Sequence, residues 1–416
     1  MATDGRTLVS DHPDPKADPQ AIIDRLSIWY AIGLGLVARL AALIFLPRQD
    51  LPDANAYLQS GRELFAGGQM SSHEYMPLYP VWTYLTGGGV TLRLADIGLS
   101  LATIWVVWRL ALEIFGERRS ALLAAFAMAV WPHAVFYSVS GLTETAYTLI
   151  VALGFLNLYR HRWWSAAVLL AVSVLVRPSL DIAIPVLILA FSVLVHREGP
   201  KTAGKRLGQY LAVYLVVMTP WWAHQFVKYD AFVRLNLGDG IVLYAGNNPM
   251  NKTGGGITGV DVDSAKFFEL RHDPIARNEA LKRAAFAYIR EDPGRFLAMA
   301  GVKFLRFWRL WPYAPRYRTM PVIIVSLLSY GVMLAAAIWC LVANSREHWR
   351  AFAPIVLTAG YLSLVHMITI GSIRYRFPLE PFLIVLGTYP IARLLERLRR
   401  VRGGGSSIEN SGISAP

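Results

Sequence analysis

The sequence predicts an all-α polytopic membrane protein of about ten transmembrane helices. Three observations predict it. Hydrophobic residues make up 55% of the 416 and charged residues only 17%, where a soluble domain carries about 25% charged residues. Mean hydropathy is +0.39. Long apolar runs alternate with short basic loops. This balance excludes an ordinary soluble enzyme, a disordered chain and a fibrous protein. The net charge, 41 − 28 = +13, would suit a nucleic-acid surface if Lys and Arg formed one patch. They are spread over alternate loops instead, so no nucleic-acid partner is expected. The single cysteine, Cys340, lies in an apolar run and reads as a small buried hydrophobe.

Residues 1–26 form an N-terminal tail, its first twenty residues rich in Asp, Pro and Lys with no apolar core. They read as a disordered cytoplasmic segment, not a signal peptide. The transmembrane domain runs over 27–395. Spans need roughly 20 mostly apolar residues. The clearest are 27–46, 120–140, 320–343 and 351–371; the first contains only Arg39 and the other three no Asp, Glu, Lys or Arg. Further spans are predicted at about 96–115, 142–159, 163–177, 178–195, 207–226 and 377–394. The stretch 163–177 is short and Pro178 follows it directly, so 163–195 is either two spans or a tight hairpin. Residues 396–416 are a basic, then Gly/Ser-rich, cytoplasmic tail.

Charge sets the orientation. Arg118 and Arg119, Arg160 and Arg162, the cluster Arg197 to Arg206, and Arg346 with Arg350 fall in alternate loops, and the C-terminal tail adds five more arginines from Arg393 to Arg402. With ten spans these lie on one side with both termini, predicted to be the cytoplasm. Two large segments, 47–95 and 227–318, then lie on the external face.

Those segments hold the candidate chemistry. Asp53 follows the first span closely, with Tyr57 and Gly61 one and two helical turns on, sharing a face. EYMPLYPVW, with Pro77 and Pro80 among aromatics, suits an interfacial or re-entrant helix. An Asp at the membrane boundary beside such segments is a candidate for work at that depth. Glu144 opens the fourth span; it is either a helix N-terminal acid favoured by the macrodipole or a functional partner of Asp53. Arg177, Arg374 and Arg376 lie at external boundaries, against the positive-inside trend. They either stabilise helix ends and pair with Glu380, or grip a phosphate through bidentate hydrogen bonds. Arg39 is expected to snorkel or to pair with an acid such as Asp181. LYAGNNP with the following glycines is either a turn cluster or a substrate lid. Asp273-Pro274 and Asp292-Pro293 read as N-caps. The helix from Pro293 is expected to lie on the outer leaflet with Arg295, Lys303, Arg306 and Arg309 facing headgroups.

Taken in order, PDANAYLQSGRELF, YMPLYP, LTE, VRP, TPWWAHQF, LYAGNNP, IREDPGRFLAMAGVKFLRFW and RYRFPLEPF, over about 28–390, resemble the GT-C superfamily of polytopic glycosyltransferases. The likeness is to the bacterial branch related to protein mannosyltransferase and the lipid A aminoarabinose transferase (glycosyltransferase family 39-like). Unlike the eukaryotic protein mannosyltransferases, the chain has Ala54, not Glu, after Asp53 and no large soluble domain after the last span. The resemblance implies a GT-C transmembrane domain with external interfacial helices. It implies transfer of a sugar, with inversion, from a polyprenyl-phosphate donor to a lipid, glycan or protein acceptor on the external face of a bacterial inner membrane. Asp53 stands at the family's catalytic acid and Glu144 at a second functional acid. Tyr57, Arg62, His73, Tyr79, Arg177, Asn247, Asn248, Arg374 and Arg376 are the substrate-binding candidates. No obligatory metal or cofactor is expected. The rival readings are a transporter or flippase of lipid-linked or small substrates and a lipid-linked glycan polymerase or ligase.

Overall fold

Proline and glycine set most helix boundaries. The computed structural model describes residues 19–46, 51–256 and 265–404, all helices and turns without a strand among them. Helix α1 is Pro19–Phe45, followed by the external helices α2 (Pro52–Gly67) and α3 (Leu78–Leu85). Next come α4 (Gly89–Phe115), α5 (Arg118–Ala129), α6 (Pro132–Ser138), α7 (Glu144–Tyr159), α8 (Trp163–Val176), α9 (Ala183–Ala190) and α10 (Pro200–Tyr229). The second external segment holds α11 (Asp239–Gly246), α12 (Ala265–Phe268), α13 (Pro274–Glu291) and α14 (Pro293–Phe307). The last helices are α15 (Met320–Ser326), α16 (Val332–Ala343), α17 (Ser345–Ile368) and α18 (Glu380–Gly404), which runs on into the basic tail. Gly68 and Gly116 end α2 and α4 in the left-handed conformation, and prolines sit in the first turn of α2, α6, α10, α13 and α14. The Asp-Pro pairs cap as the sequence predicts: Asp273 accepts from the amide of Ala276 and Asp292 from that of Arg295.

Helix length and hydropathy support part of the ten predicted spans. Among the described residues five helices are long and apolar enough to cross a membrane, within Ile28–Phe45, Gly89–Phe115, Met320–Ala343, Ser345–Ile368 and Ile373–Leu398. A sixth forms if α5 and α6, bent by 49°, count as one. The stretch 163–195 folds as two short apolar helices joined by a three-residue turn, Pro178–Leu180. Buried fraction separates the long helices: 22% for 320–343 but 72% for 373–398. A helix that is apolar all round yet largely uncovered by protein has lipid as its partner. The chain is a multi-pass membrane protein with α18 near its centre, packed on α4, α5 and α16.

The basic turns converge on one end. Arg119 pairs with Glu396, Arg160 with Glu113, and Arg206 and His161 both with Glu198. Two other expectations change. Arg39 is buried and donates to the Ser100 hydroxyl and to the carbonyls of Gly35 and Ala129, not to Asp181. Asp181 instead takes the Tyr214 hydroxyl at 2.7 Å and Arg234 from the external segment. Helix α14 departs from expectation at Lys303, which turns inward from the predicted basic face. Lys303 is buried with Ala300 and Phe307, while Leu297 and Leu305 are 69% and 71% exposed. Position 303 is three residues from 300 and four from 307, so the lysine shares their face.

Candidate active site

Four charged side chains from four separated stretches of chain meet at the end opposite the basic turns. Each arrives by a local device. Pro52 starts α2, which puts Asp53 in its first turn. Glu144 opens α7 after Gly141, whose φ of +65° turns the chain so that this glycine lies against Ala54. Arg177 precedes Pro178 and is extended (φ −157°, ψ 125°), which takes it out of α8. Arg374 lies in a 3₁₀ turn, Ile373–Leu379, that leads into α18, its amide held by the Ser372 side chain.

The guanidinium of Arg374 joins both acids. Its Nη1 donates to Asp53 Oδ2 at 2.6 Å, and its Nε and Nη2 donate to the two oxygens of Glu144. Arg177 Nη1 donates to Glu144 Oε1 at 2.7 Å. The two acids differ in access: the Asp53 side chain is 39% exposed and that of Glu144 fully buried. Two arginines and two carboxylates make the cluster neutral. Burying two unpaired charges would cost several kcal/mol each; mutual pairing offsets that cost.

Aromatic rings wall the cluster. Tyr57 is buried against Tyr75 (centroids 4.6 Å apart) and Tyr79 (5.2 Å). Burial, with the nearby acids, pushes the Tyr57 phenol up to about 12 despite the two arginines, so it remains a proton donor. Arg177 lies over the Tyr375 ring at 5.2 Å, and Tyr375 stacks on His366 at 4.5 Å. Tyr75, Tyr375 and His366 were not singled out from sequence. Tyr375 had a signal, since it sits between two candidate arginines; His366 had none.

The remaining candidates lie in other settings. Arg376, fully buried, donates from Nε to Glu380 at 3.2 Å and from Nη1 to the carbonyls of Phe307 and Arg309, with its guanidinium 3.6 Å from the Tyr330 ring centroid. Trp131 and His133, flanking the break between α5 and α6, also bond Glu380, at 2.5 Å and 2.8 Å. Tyr79 donates to buried Asp96 at 2.8 Å. His73 is half-buried and meets the Tyr229 hydroxyl at 2.7 Å, and burial lowers its pKa to about 4. Arg62 is exposed on α2. Asn247 and Asn248 are buried and tie backbone: Asn247 donates to Leu243 and Ile368 carbonyls and accepts from Lys303, and Asn248 bonds the Tyr244 carbonyl and the Met250 and Asn251 amides. Their bonding is that of a turn cluster. Among the described residues no group of three or more His, Cys, Asp or Glu side chains comes together.

No protein-family model matches the sequence, and no curated protein matches it. Solved structures do. The archaeal oligosaccharyltransferase AglB from Archaeoglobus fulgidus, in complex with an inhibitory peptide and a dolichol-phosphate, has a TM-score of 0.56 at 12% identity. The match covers 95% of this chain and 53% of that one. The apo form of the Archaeoglobus fulgidus oligosaccharyltransferase gives 0.56 at 11% identity, over 94% and 53%. ArnT from Cupriavidus metallidurans, bound to undecaprenyl phosphate, gives 0.43 at 17% identity, over 91% and 79%. This chain spans about half the length of the oligosaccharyltransferase it matches, and at such identities the likeness is one of fold. The chain shares the polytopic helical fold of the Archaeoglobus fulgidus oligosaccharyltransferase.

Proposed function

We propose that the chain is a membrane glycosyltransferase that moves a sugar from a polyprenyl-phosphate donor to an acceptor on the external face, with inversion, using Asp53 as general base. The observation that carries the proposal is the Asp53–Arg374–Glu144–Arg177 cluster, in which one acid is open to solvent and the other is sealed between two arginines. The fold supports the reaction class, and the dolichol-phosphate held by the oligosaccharyltransferase supports the donor class. The basic turns gathered at the other end support a cytoplasmic location for them and an external one for the cluster.

Each side chain has a chemical task. The donor phosphodiester is an anion, and Arg374 is the cation it reaches, because Glu144 fixes that guanidinium from behind. As the phosphate takes Nη1 of Arg374, the Asp53 carboxylate gives up that hydrogen bond and is left facing the acceptor. The acceptor oxygen or nitrogen then attacks the anomeric carbon and its proton passes to Asp53. The bond from that carbon to the phosphate oxygen breaks, and the electron pair leaves on the phosphate, where Arg374 and Arg177 stabilise it. Glu144 is a positioning residue here: it holds two arginines and faces no solvent.

The test is transfer from a radiolabelled polyprenyl-phosphate sugar by purified protein in liposomes. Label in a new covalent product supports the reading. Label that only crosses the bilayer unchanged overturns it in favour of a transporter. Reporter fusions after Arg119 and after Arg206 are expected to read cytoplasmic, and one near Gly255 external. An external signal after Arg206 moves the site to the wrong face.

A further inference from the structure

The groove between α16 and α18 lies at the end opposite the Asp53–Arg374 cluster and takes no part in the transfer chemistry. It encloses about 580 Å³, walled by Ala336, Trp339, Ala343 and Leu394, with Arg393 and Arg397 among its lining. The two helices touch closely at Gly387, where an added Cβ would stand 2.4 Å from the Met333 sulfur. Beyond that contact the small side chains of Ala336 and Ala343 leave space that neither helix fills. Trp339 is 65% exposed and Leu394 57%, so these walls are open to the lipid that surrounds the outer helices.

Both charged side chains in the groove lining are arginines, with Glu117 outside the lining but within electrostatic reach of Arg393. Arg393 and Arg397 are four residues apart on α18 and therefore share a face. Arg393 uses Nη1 to reach the Tyr389 hydroxyl at 2.8 Å. Arg397 forms no hydrogen bond or ion pair with any described residue. The nearby Glu396 is paired with Arg119, and no carboxylate lines the groove. Two guanidinium groups beside an apolar slot, in the last turns of the candidate span Ile373–Leu398, complement an anion that carries hydrocarbon. A free inorganic anion would leave the apolar walls unpartnered. A second copy docked through a two-fold axis would bring the same arginine pairs towards each other.

We propose that this groove is a binding site for a phospholipid with an anionic headgroup. Its phosphate lies between Arg393 and Arg397, and its acyl chains run along Trp339, Ala336 and Leu394. Basic pockets between helices at a membrane face select lipids in this way.

The experiment is native mass spectrometry of the purified full-length protein with phosphatidylglycerol and with phosphatidylcholine of the same chains. Each arginine near a membrane surface contributes about fivefold in affinity, so Arg393→Gln/Arg397→Gln is expected to hold phosphatidylglycerol about 25-fold more weakly. Phosphatidylcholine retention is expected to stay the same. Arg118→Gln, at the same end but outside the groove, should change neither. Ala343→Trp fills the slot while leaving both arginines, and should also release the lipid. Thermal unfolding of each variant shows that it is folded. Equal phosphatidylglycerol retention by wild type and the double variant overturns the proposal. So does retention unaffected by Ala343→Trp, which means diffuse attraction. Full displacement by inorganic phosphate, or a dimer that Ala343→Trp abolishes, assigns the groove to a different occupant and overturns it too.

Discussion

Arg374 and Arg376 are two residues apart and occupy opposite kinds of place. Arg374, its side chain 24% exposed, bonds two carboxylates, Glu144 and the partly exposed Asp53. Arg376 is fully buried and bonds Glu380 together with the carbonyls of Phe307 and Arg309. The turn explains the divergence. A 3₁₀ helix has three residues per turn, so positions two apart point about 120° away from each other. One arginine faces the mouth of the bundle and the other its interior. Two charges of one kind in one motif therefore need separate arguments, one about chemistry and one about stability.

The largest expected effect belongs to the open side. Asp53→Asn keeps size and shape but cannot take the acceptor's proton. Turnover should fall by about 10²–10⁴-fold, with little change in thermal unfolding, because Asp53 is partly exposed and gives up one ion pair. Activity within a few-fold of wild type removes Asp53 from the chemistry.

On the buried side the expected loss is in folding. Arg376→Ala leaves Glu380 a fully buried carboxylate without its arginine, which costs about 3–5 kcal/mol of stability. Thermal unfolding reads it. Whatever fraction remains folded should use donor with an unchanged KM. A raised donor KM in a variant of normal stability would mean that Arg376 meets substrate, and the comparison would break.

A smaller effect sharpens the distinction. Arg374→Lys keeps the charge but loses the fork that spans two acids. A hydrogen bond to a charged group contributes about 1.5–3 kcal/mol, so donor KM should rise by roughly ten- to a hundredfold. An unchanged KM would mean that the donor phosphate is held elsewhere.

The smallest effect concerns the chain that leads into the turn. Lys303 donates to Asn247 Oδ1 and to the Ile368 carbonyl, and Arg306 to the Gly371 carbonyl, just before Arg374. Burial lowers the Lys303 amine from 10.5 to about 8. Between pH 8 and 10.5 the unfolded chain holds this proton and the folded one releases it, so stability from this group rises with pH across that window. The difference in melting temperature between wild type and Lys303→Met should therefore move in favour of wild type from pH 7.5 to pH 9.5. A pH-independent difference would mean that Lys303 titrates as an ordinary surface amine.

The sequence by itself determined the helical segments, their Pro, Gly and Asp boundaries and the segregation of basic turns. It also marked Asp53, Glu144, Arg177 and Arg374 as charges at unusual depth. These are local properties: backbone preference and hydropathy act over a few residues. The tertiary structure alone decided which charges meet. Arg374 finds Glu144 across 230 positions and Asp53 across 321, and no spacing rule reaches that far. It also turned Lys303 and Arg39 inward, to partners on other segments. Asn247 and Asn248, plausible ligands in a glycine-rich stretch, are held by backbone groups of the turn they close. A charged side chain's role depends on what desolvates it and what pairs with it, and both come from packing between segments distant in the chain.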